Sequence, residues 1–429
     1  MIDIKLIREN SEAVKENMKK KFQDAKIVLV DKVRKLDGDW RKLKTEADEL
    51  RSGRNKISKE ISEAMKSKDK VRGEKLMKTA KKIPDRILKV EEKMKKFEVE
   101  IREIMFKIPN LIHESVPIGK DDSENVEVEK IGEPKIPDYE ILNHVELAES
   151  LDGLDLEVAR KVSGNGFYYL KGDVARLHSA LLAFARDYMI NQEFEYVVPP
   201  FMIRKNVVDG VMSFEEMDTM MYKLEDEDLY LIGTSEHAMI GMFKDKLLRA
   251  KDVPYKLTSY SPCFRKEKGA HGIEEKGLYR VHQFEKQEMI VVCSPEESWK
   301  WYGKMLAWTV DVFKQLGIPV RKIECCSGDL ADLKAKSEDV EAWSPRQKKY
   351  FEVGSCSNLT DAQARRLGIK IQKGNEKVFA HTLNNTVLAS PRALVAFMEN
   401  NQLKDGSIKI PKVLQPYLGG MKKIEKRKV

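Results

Sequence analysis

The sequence predicts an α+β protein in two parts. An antiparallel coiled-coil helical arm comes first, and a domain built on an antiparallel β-sheet with flanking helices follows. Three observations carry this expectation. Apolar residues recur at alternating spacings of four and three along two early runs, the heptad pattern of a coiled coil. That pattern stops near Ile108-Pro109-Asn110. Beyond it, short strand-like segments surround one or two longer amphipathic ones, as in an α+β domain.

Residues 2–20 read as one short amphipathic helix packing at the base of the arm. The first heptad run is Leu29, Val33, Leu36, Trp40, Leu43, Ala47 and Leu50, then Ile57, Ile61 and Ala64. The second is Leu76, Ala80, Ile83, Ile87, Val90, Met94, Phe97, Ile101 and Ile104. The polar stretch Ser67-Lys68-Asp69-Lys70 joins them, so residues 29–105 should fold back as a hairpin. Pro84 lacks a backbone donor and crowds the preceding turn, so a kink or a restart of the helix is expected there. Residues 1–110 thus form the arm, the polar, turn-rich residues 111–135 a linker, and residues 136–429 the sheet domain. In that domain, helices are expected at 177–191 and at 296–316, the second stopped by Gly317. Strands are expected at 195–198, cut by Pro199-Pro200, and at 229–232, 289–292 and 349–353.

Composition sets limits on class. No run of about 18 apolar residues occurs, so no membrane span is expected. The N-terminus, Met-Ile-Asp-Ile-Lys-Leu, carries an acidic residue and no apolar core of an export signal, which points to a cytoplasmic protein. The five cysteines (Cys263, Cys293, Cys325, Cys326 and Cys356) show no Cys-x-x-Cys spacing and read as reduced thiols. No zinc is expected, because ligands at suitable spacing are missing. Residues 1–110 hold 32 Lys+Arg against 21 Asp+Glu, and the remainder 46 against 49, so all of the net +8 sits in the arm. Such asymmetry fits a polyanionic partner, and it fits equally a solvated helical arm kept soluble by its lysines.

The densest chemistry lies between Phe264 and Glu288. A strand enters, a charged Gly-rich loop turns, and a strand returns with the sequence His282-Gln-Phe-Glu-Lys-Gln-Glu288. Arg265 can neutralise phosphate, Phe284 offers a ring face to a base, and Glu288 can accept hydrogen bonds from a small polar substrate. Taken singly, each has an ordinary explanation. Arg265 and Glu267 could be a surface pair across two strands, and Phe284 could be core. Likewise Gly233-Thr-Ser-Glu-His237 reads alone as a helix N-cap, and the segment from His381 to Ala396 as a buried strand and helix.

Together these patches resemble a class II aminoacyl-tRNA synthetase of the seryl type. The helix before Glu195-Tyr-Val-Val-Pro-Pro is similar to motif 1, Phe264–Glu288 to motif 2, and His381-Thr-Leu-Asn-Asn-Thr-Val-Leu-Ala-Ser-Pro-Arg392 to motif 3. Phe351-Glu-Val-Gly-Ser-Cys-Ser-Asn358 and the long arm add to the seryl likeness. The resemblance implies a class II synthetase-like catalytic domain, ATP with Mg2+, L-serine and tRNA(Ser) as partners, tRNA gripped by the basic arm, and a homodimer. Arg265, Glu267, Arg280, Phe284, Glu352, Ser355 and Arg392 match ATP-binding positions. Of these, Arg265, Glu352 and Arg392 match the catalytic set, and Glu352 and Ser355 the Mg2+ contacts. Thr234, Glu236, Arg265, Glu288, Asn385 and Thr386 match serine-binding positions.

The chain departs from the family pattern at Ile273-Glu274-Glu275, where Arg-Asp-Thr is common in a loop that reaches toward the tRNA acceptor end. It departs again at Gly354, which replaces a side-chain residue, and at Pro391, before the motif 3 arginine. A basic tail spans 422–428. Two rivals keep the fold but change the function. One is a non-charging paralogue that binds RNA or a protein, and the other is an amino-acid:carrier-protein ligase.

Overall fold

The computed structural model describes residues 1–267 and 277–426. The loop residues Ile273-Glu274-Glu275 and the last residues of the basic tail lie outside that range. The chain forms two compact units, one of residues 2–19 and 23–109, the other of residue 1, residues 20–22 and residues 110–429.

In the first unit, helices α1 (Ile4–Glu9) and α2 (Ser11–Lys20) replace the single helix expected over 2–20. Asn10 breaks the run, and its side chain accepts from the Ala13 N–H at 3.2 Å, which caps α2. The long helices α3 (Val28–Lys66) and α4 (Lys70–Met105) form the hairpin, turned by Ser67–Asp69 with Lys68 at φ 56°. At 1.5 Å per residue, the 39 residues of α3 span about 58 Å. The seam is apolar, with Val30, Val33, Ala47 and Ala64 of α3 and Ile83, Ile87, Val90 and Ile104 of α4 all buried. Polar contacts along its edge run antiparallel. Lys32 meets Glu100 at 2.8 Å, Trp40 Nε1 donates to Glu98 at 3.1 Å, and Arg51 donates to Glu91 at 2.6 Å.

Of the two outcomes expected at Pro84, a kink or a restart, the restart does not occur, because α4 runs through it without interruption. Its missing donor removes one backbone bond, while Ile83 and Ile87 beside it stay buried in the seam and favour the continued helix. Where α1 meets α3, Arg8 binds Asp37 through two nitrogens at 2.6 and 2.8 Å, and Arg41 adds a contact at 3.1 Å.

The second unit is built on one eight-stranded sheet. In chain order its strands are β1 (Val126–Ile131), β2 (Glu195–Tyr196), β3 (Tyr255–Phe264), β4 (Gln283–Cys293), β5 (Val320–Glu324), β6 (Lys336–Ser344), β7 (Lys349–Asn358) and β8 (His381–Ser390). Across the sheet they run β1-β5-β6-β7-β8-β4-β3-β2. All pairings are antiparallel except β2 with β3, which is parallel. The expected strand at 195–198 is therefore two residues long and lies at the sheet edge ahead of its prolines.

The linker assignment also changes. Residues 111–135 are not a free linker. They contain β1, which pairs with β5, because an exposed sheet edge offers unpaired N–H and C=O groups that a strand can satisfy. Asn110 just before them is buried, and its amide donates to the carbonyls of Leu333 and Leu359 at 3.0 and 2.9 Å. Helices α5 (Gly172–Asn191), α6 (Ser235–Gly241), α7 (Ser298–Gln315) and α8 (Arg392–Asn401) complete the frame. The main core gathers Leu177, Leu181 and Ala185 of α5, Met305, Val312 and Phe313 of α7, and Val395 and Phe397 of α8 with Met289, Val291 and Leu383 of the sheet. The α7 range is shorter than expected because Pro295–Glu297 forms a separate 3-10 turn. Among the described residues, no helix is long and apolar enough to cross a membrane.

Asp37→Ala should destabilise the arm by about 2–3 kcal/mol, since Asp37 is buried and accepts charged hydrogen bonds from Arg8 and Arg41. Thermal unfolding followed by circular dichroism at the helix band is the measurement, and Asp37→Asn should recover part of the loss.

Candidate active site

Strand alternation assembles the site. On β4, Phe284, Lys286 and Glu288 point to one face and line a cavity of about 470 Å³, while Met289 and Val291, of opposite parity, enter the main core. The entering strand β3 ends just before Arg265 and Glu267, which line the same cavity. Strands β7 and β8 supply Glu352, Gly354 and Ser355, and Asn384 and Thr386. The α6 N-cap supplies Thr234 and Glu236, and Arg392 opens α8. Thus Arg265, Glu267, Arg280, Phe284, Glu352, Ser355, Arg392, Thr234, Glu236, Glu288 and Thr386 share one cavity.

Asn385 does not join them. A side chain next to cavity-facing Thr386 must point to the opposite face of the strand. Its amide donates to the Met305 carbonyl and Thr309 Oγ1 of α7 at 2.8 and 2.9 Å, and Asn384 takes the cavity position instead. Asn385 therefore lies on the core side of β8, outside the cavity lining.

The cavity has two chemically different ends. At the first, the Arg265 guanidinium lies 5.1 Å from the Phe284 ring centroid, and its Nε donates to the Gly233 carbonyl at 3.3 Å. Arg280 Nε sits 3.7 Å from Glu267, so Glu267 pairs with Arg280 and not across the strands with Arg265. Arg392 bonds Glu352 at 2.9 Å and the Tyr279 carbonyl at 3.1 Å. Pro391 stands immediately before α8 and accepts from the Val395 N–H at 2.9 Å, so it leaves the helix start intact.

At the second end, Glu288 is buried, pairs with Lys286, and accepts from Thr234 Oγ1 at 3.2 Å. Lys286 also reaches Thr386 Oγ1 at 3.5 Å. Glu236 accepts from Gln363 at 2.8 Å. Burial raises the Glu236 pKa to about 7, and the nearby Glu288 charge adds to it. Burial, with the Arg265 and Lys286 charges, lowers His237 to about 3, so that ring is neutral. A Cβ at Gly354 would lie 3.2 Å from the Thr386 carbonyl oxygen, closer than ordinary contact, so glycine suits this wall.

Besides Lys286 and Asn384, two buried charged groups of the cavity escaped sequence reasoning. Asp339 of β6 sits opposite Ser355 of β7, and Lys334 donates to Ser337 and Ser355 at 3.3 and 3.5 Å. Burial and the Glu352 charge raise Asp339 to about 6, and its Oδ1 is buried without a hydrogen-bond partner. Burial opposes the Lys334 charge, but Asp339 keeps its pKa above the ordinary value. Their signal in the sequence is slight, since only a register opposite Ser355 marks Asp339. Two carboxylates and a hydroxyl with an unpartnered buried oxygen are hard donors that fit a magnesium ion. Among the described residues, no group of three or more His, Cys, Asp and Glu is arranged to hold a metal. A site here would thus complete its shell with other oxygens.

Sheet, helices and cavity together define the catalytic core of a class II aminoacyl-tRNA synthetase. Residues 222–401 match the tRNA synthetase class II core domain (G, H, P, S and T), and residues 1–112 match the seryl-tRNA synthetase N-terminal domain. A serine--tRNA ligase of Methanocella arvoryzae is 43% identical over 98% of this chain and 99% of its own length. The crystal structure of the seryl-tRNA synthetase from Pyrococcus horikoshii complexed with ATP covers 100% of both chains at 41% identity and a TM-score of 0.94. That of the cytoplasmic serine-tRNA ligase of Naegleria fowleri with AMP gives 35% and 0.89, covering 100% of this chain and 99% of its own. The chain belongs to the seryl-tRNA synthetase family.

Glu236 yields a pH signature. Its folded pKa of about 7 exceeds the reference value of 4.5, so the folded state holds the extra proton. Stability from this group is complete below about pH 4.5 and is lost as pH rises through about 7. The loss is up to about 3 kcal/mol. Thermal midpoints of the ligand-free protein against pH should fall more steeply than those of Glu236→Gln between those values.

Proposed function

We propose that this cavity is where the chain activates L-serine with ATP and from which it charges tRNA(Ser). The reaction is that of the family, class II ATP-dependent serine--tRNA ligation. Serine and ATP bind, the serine carboxylate attacks the α-phosphate, and seryl-adenylate and pyrophosphate form. A terminal ribose hydroxyl of the tRNA then takes the seryl group. The observation that carries the residue-level reading is the convergence of Arg265 and Arg392 on one cavity that also holds Glu288.

No side-chain nucleophile is required. Arg265 takes up charge that builds on the α-phosphate, Arg392 holds the outer phosphates, and Phe284 faces the base. Arg280 and Glu267 border the same end. Glu352 and Ser355, with Asp339 beside them, would hold Mg2+, which neutralises phosphate charge when bound. Serine fits the opposite end. Its ammonium suits Glu236 and Thr234, and its hydroxyl suits Glu288 and Thr386. Alanine would leave Glu288 without its hydroxyl partner, a loss that can discriminate by about 10⁴ or more.

The arm is the natural tRNA contact, because it carries the whole positive excess and exposes most of its length. Homodimer formation is supported by exposed apolar side chains clustered within residues 190–202, namely Ile190, Tyr196, Val198 and Met202.

Two measurements test this. Glu288→Ala should raise the Michaelis constant for serine about tenfold or more and weaken rejection of alanine. Glu288→Gln, which can still pair with Thr234, guards against a folding defect, and an unchanged serine constant in both removes Glu288 from the pocket. Deleting residues 30–105 should spare serine-dependent ATP–pyrophosphate exchange and lower tRNA charging severely. Equal loss of both activities would count against the arm's role.

A further inference from the structure

Behind the nucleotide end of the cavity runs a chain of four polar residues that the reaction as described does not use. Tyr260 of β3 donates its hydroxyl to one oxygen of Glu285 on β4. His178 of α5 presents Nε2 to the other oxygen. Ser390, the last residue of β8, places Oγ 2.7 Å from His178 Nδ1. A carboxylate only accepts, so Nε2 donates, and in the neutral ring Nδ1 accepts from the Ser390 hydroxyl. Every donor in the chain therefore points toward Glu285. Partial burial opposes the charge on Glu285, yet the His178 and Tyr260 bonds hold its pKa below the ordinary value.

Ser390 lines the cavity itself, and Glu285 adjoins it through the backbone. Glu285 lies between Phe284 and Lys286, both cavity-lining. Ser390 is paired with Glu285 in the β8–β4 register, and only Pro391 separates it from Arg392. His178 itself is not part of the cavity wall. It ties the helix of motif 1 to motifs 2 and 3 where these two deliver Phe284 and Arg392. Among the described residues, no side-chain hydrogen bond joins it to Thr234, Glu236 or Glu288 at the serine end, although Glu288 shares β4 with Glu285.

We propose that His178 is a positioning residue for ATP: by bridging Glu285 and Ser390 it fixes Phe284 and Arg392 from behind the cavity, and it leaves the serine pocket untouched. This rests on the assignment of Phe284 and Arg392 to the nucleotide.

The test uses the full chain, with ATP binding measured directly by calorimetry and serine-dependent ATP–pyrophosphate exchange measured in parallel. His178→Phe should weaken ATP binding about 5- to 10-fold and Ser390→Ala about 2- to 5-fold, the range expected for hydrogen bonds acting through an intermediary. In exchange, the Michaelis constant for serine should stay within about twofold in both. The double variant should be no worse than His178→Phe alone, because both break one chain. His178→Gln, which keeps a donor and an acceptor, should recover part of the ATP affinity. Unchanged ATP affinity in both single variants, additive losses, or a serine constant rising as far as that for ATP would each overturn the proposal. If His178→Phe does not fold, Ser390→Ala decides, and normal ATP affinity in it overturns the idea. An unaltered chain that binds ATP but performs no exchange refutes the catalytic reading, while the ATP titrations still judge His178.

Discussion

The two-residue period of β4 is the constraint on which this molecule's chemistry depends. Phe284, Lys286 and Glu288 stand on one face because a pleated strand alternates its side chains. The intervening Glu285 and Gln287 stand on the other, above α5, where Glu285 meets His178 and Gln287 donates to Thr258 at 2.7 Å. A slip of one residue would exchange the two sets and bury the cavity's charges in the core. Long pairings on both sides, with β3 over ten residue pairs and with β8, hold the register.

Three pairs of opposite charge inside the cavity are already in contact before any ligand arrives. Lys286 answers Glu288, Arg392 answers Glu352, and Arg280 answers Glu267. Leaving any of these unpaired in a partly dry cavity would be costly. Ligands must therefore exchange partners with existing pairs, and this favours substrates that carry both signs, as an amino acid and a nucleotide do. Asp339, beside the Lys334 charge, and Glu236 are buried carboxyls outside these three pairs. Burial is the main cause that raises the pKa of both.

The arm follows a different logic. Its seam is narrow and apolar, its long outer surface is charged, and cross-helix pairs such as Arg51–Glu91 are exposed and contribute little each. Its persistence comes from the continuous seam, which also explains why one proline does not break α4.

Much of this was legible in the sequence. Heptads define α3, α4 and their turn because coiled-coil packing is local and periodic. The motif patches bring out most of the cavity because phosphate, base and ammonium recognition each demand particular residue types. What the tertiary structure alone decided concerns partners distant in sequence. It turned Asn385 into the core, drew residues 126–131 into the sheet edge, carried α4 through Pro84, and set Asp339 and Lys334 beside Ser355. Residue type says what a side chain can bind, but strand phase, bulges and sheet edges decide what it faces. Those are settled only when chain segments hundreds of residues apart come into register.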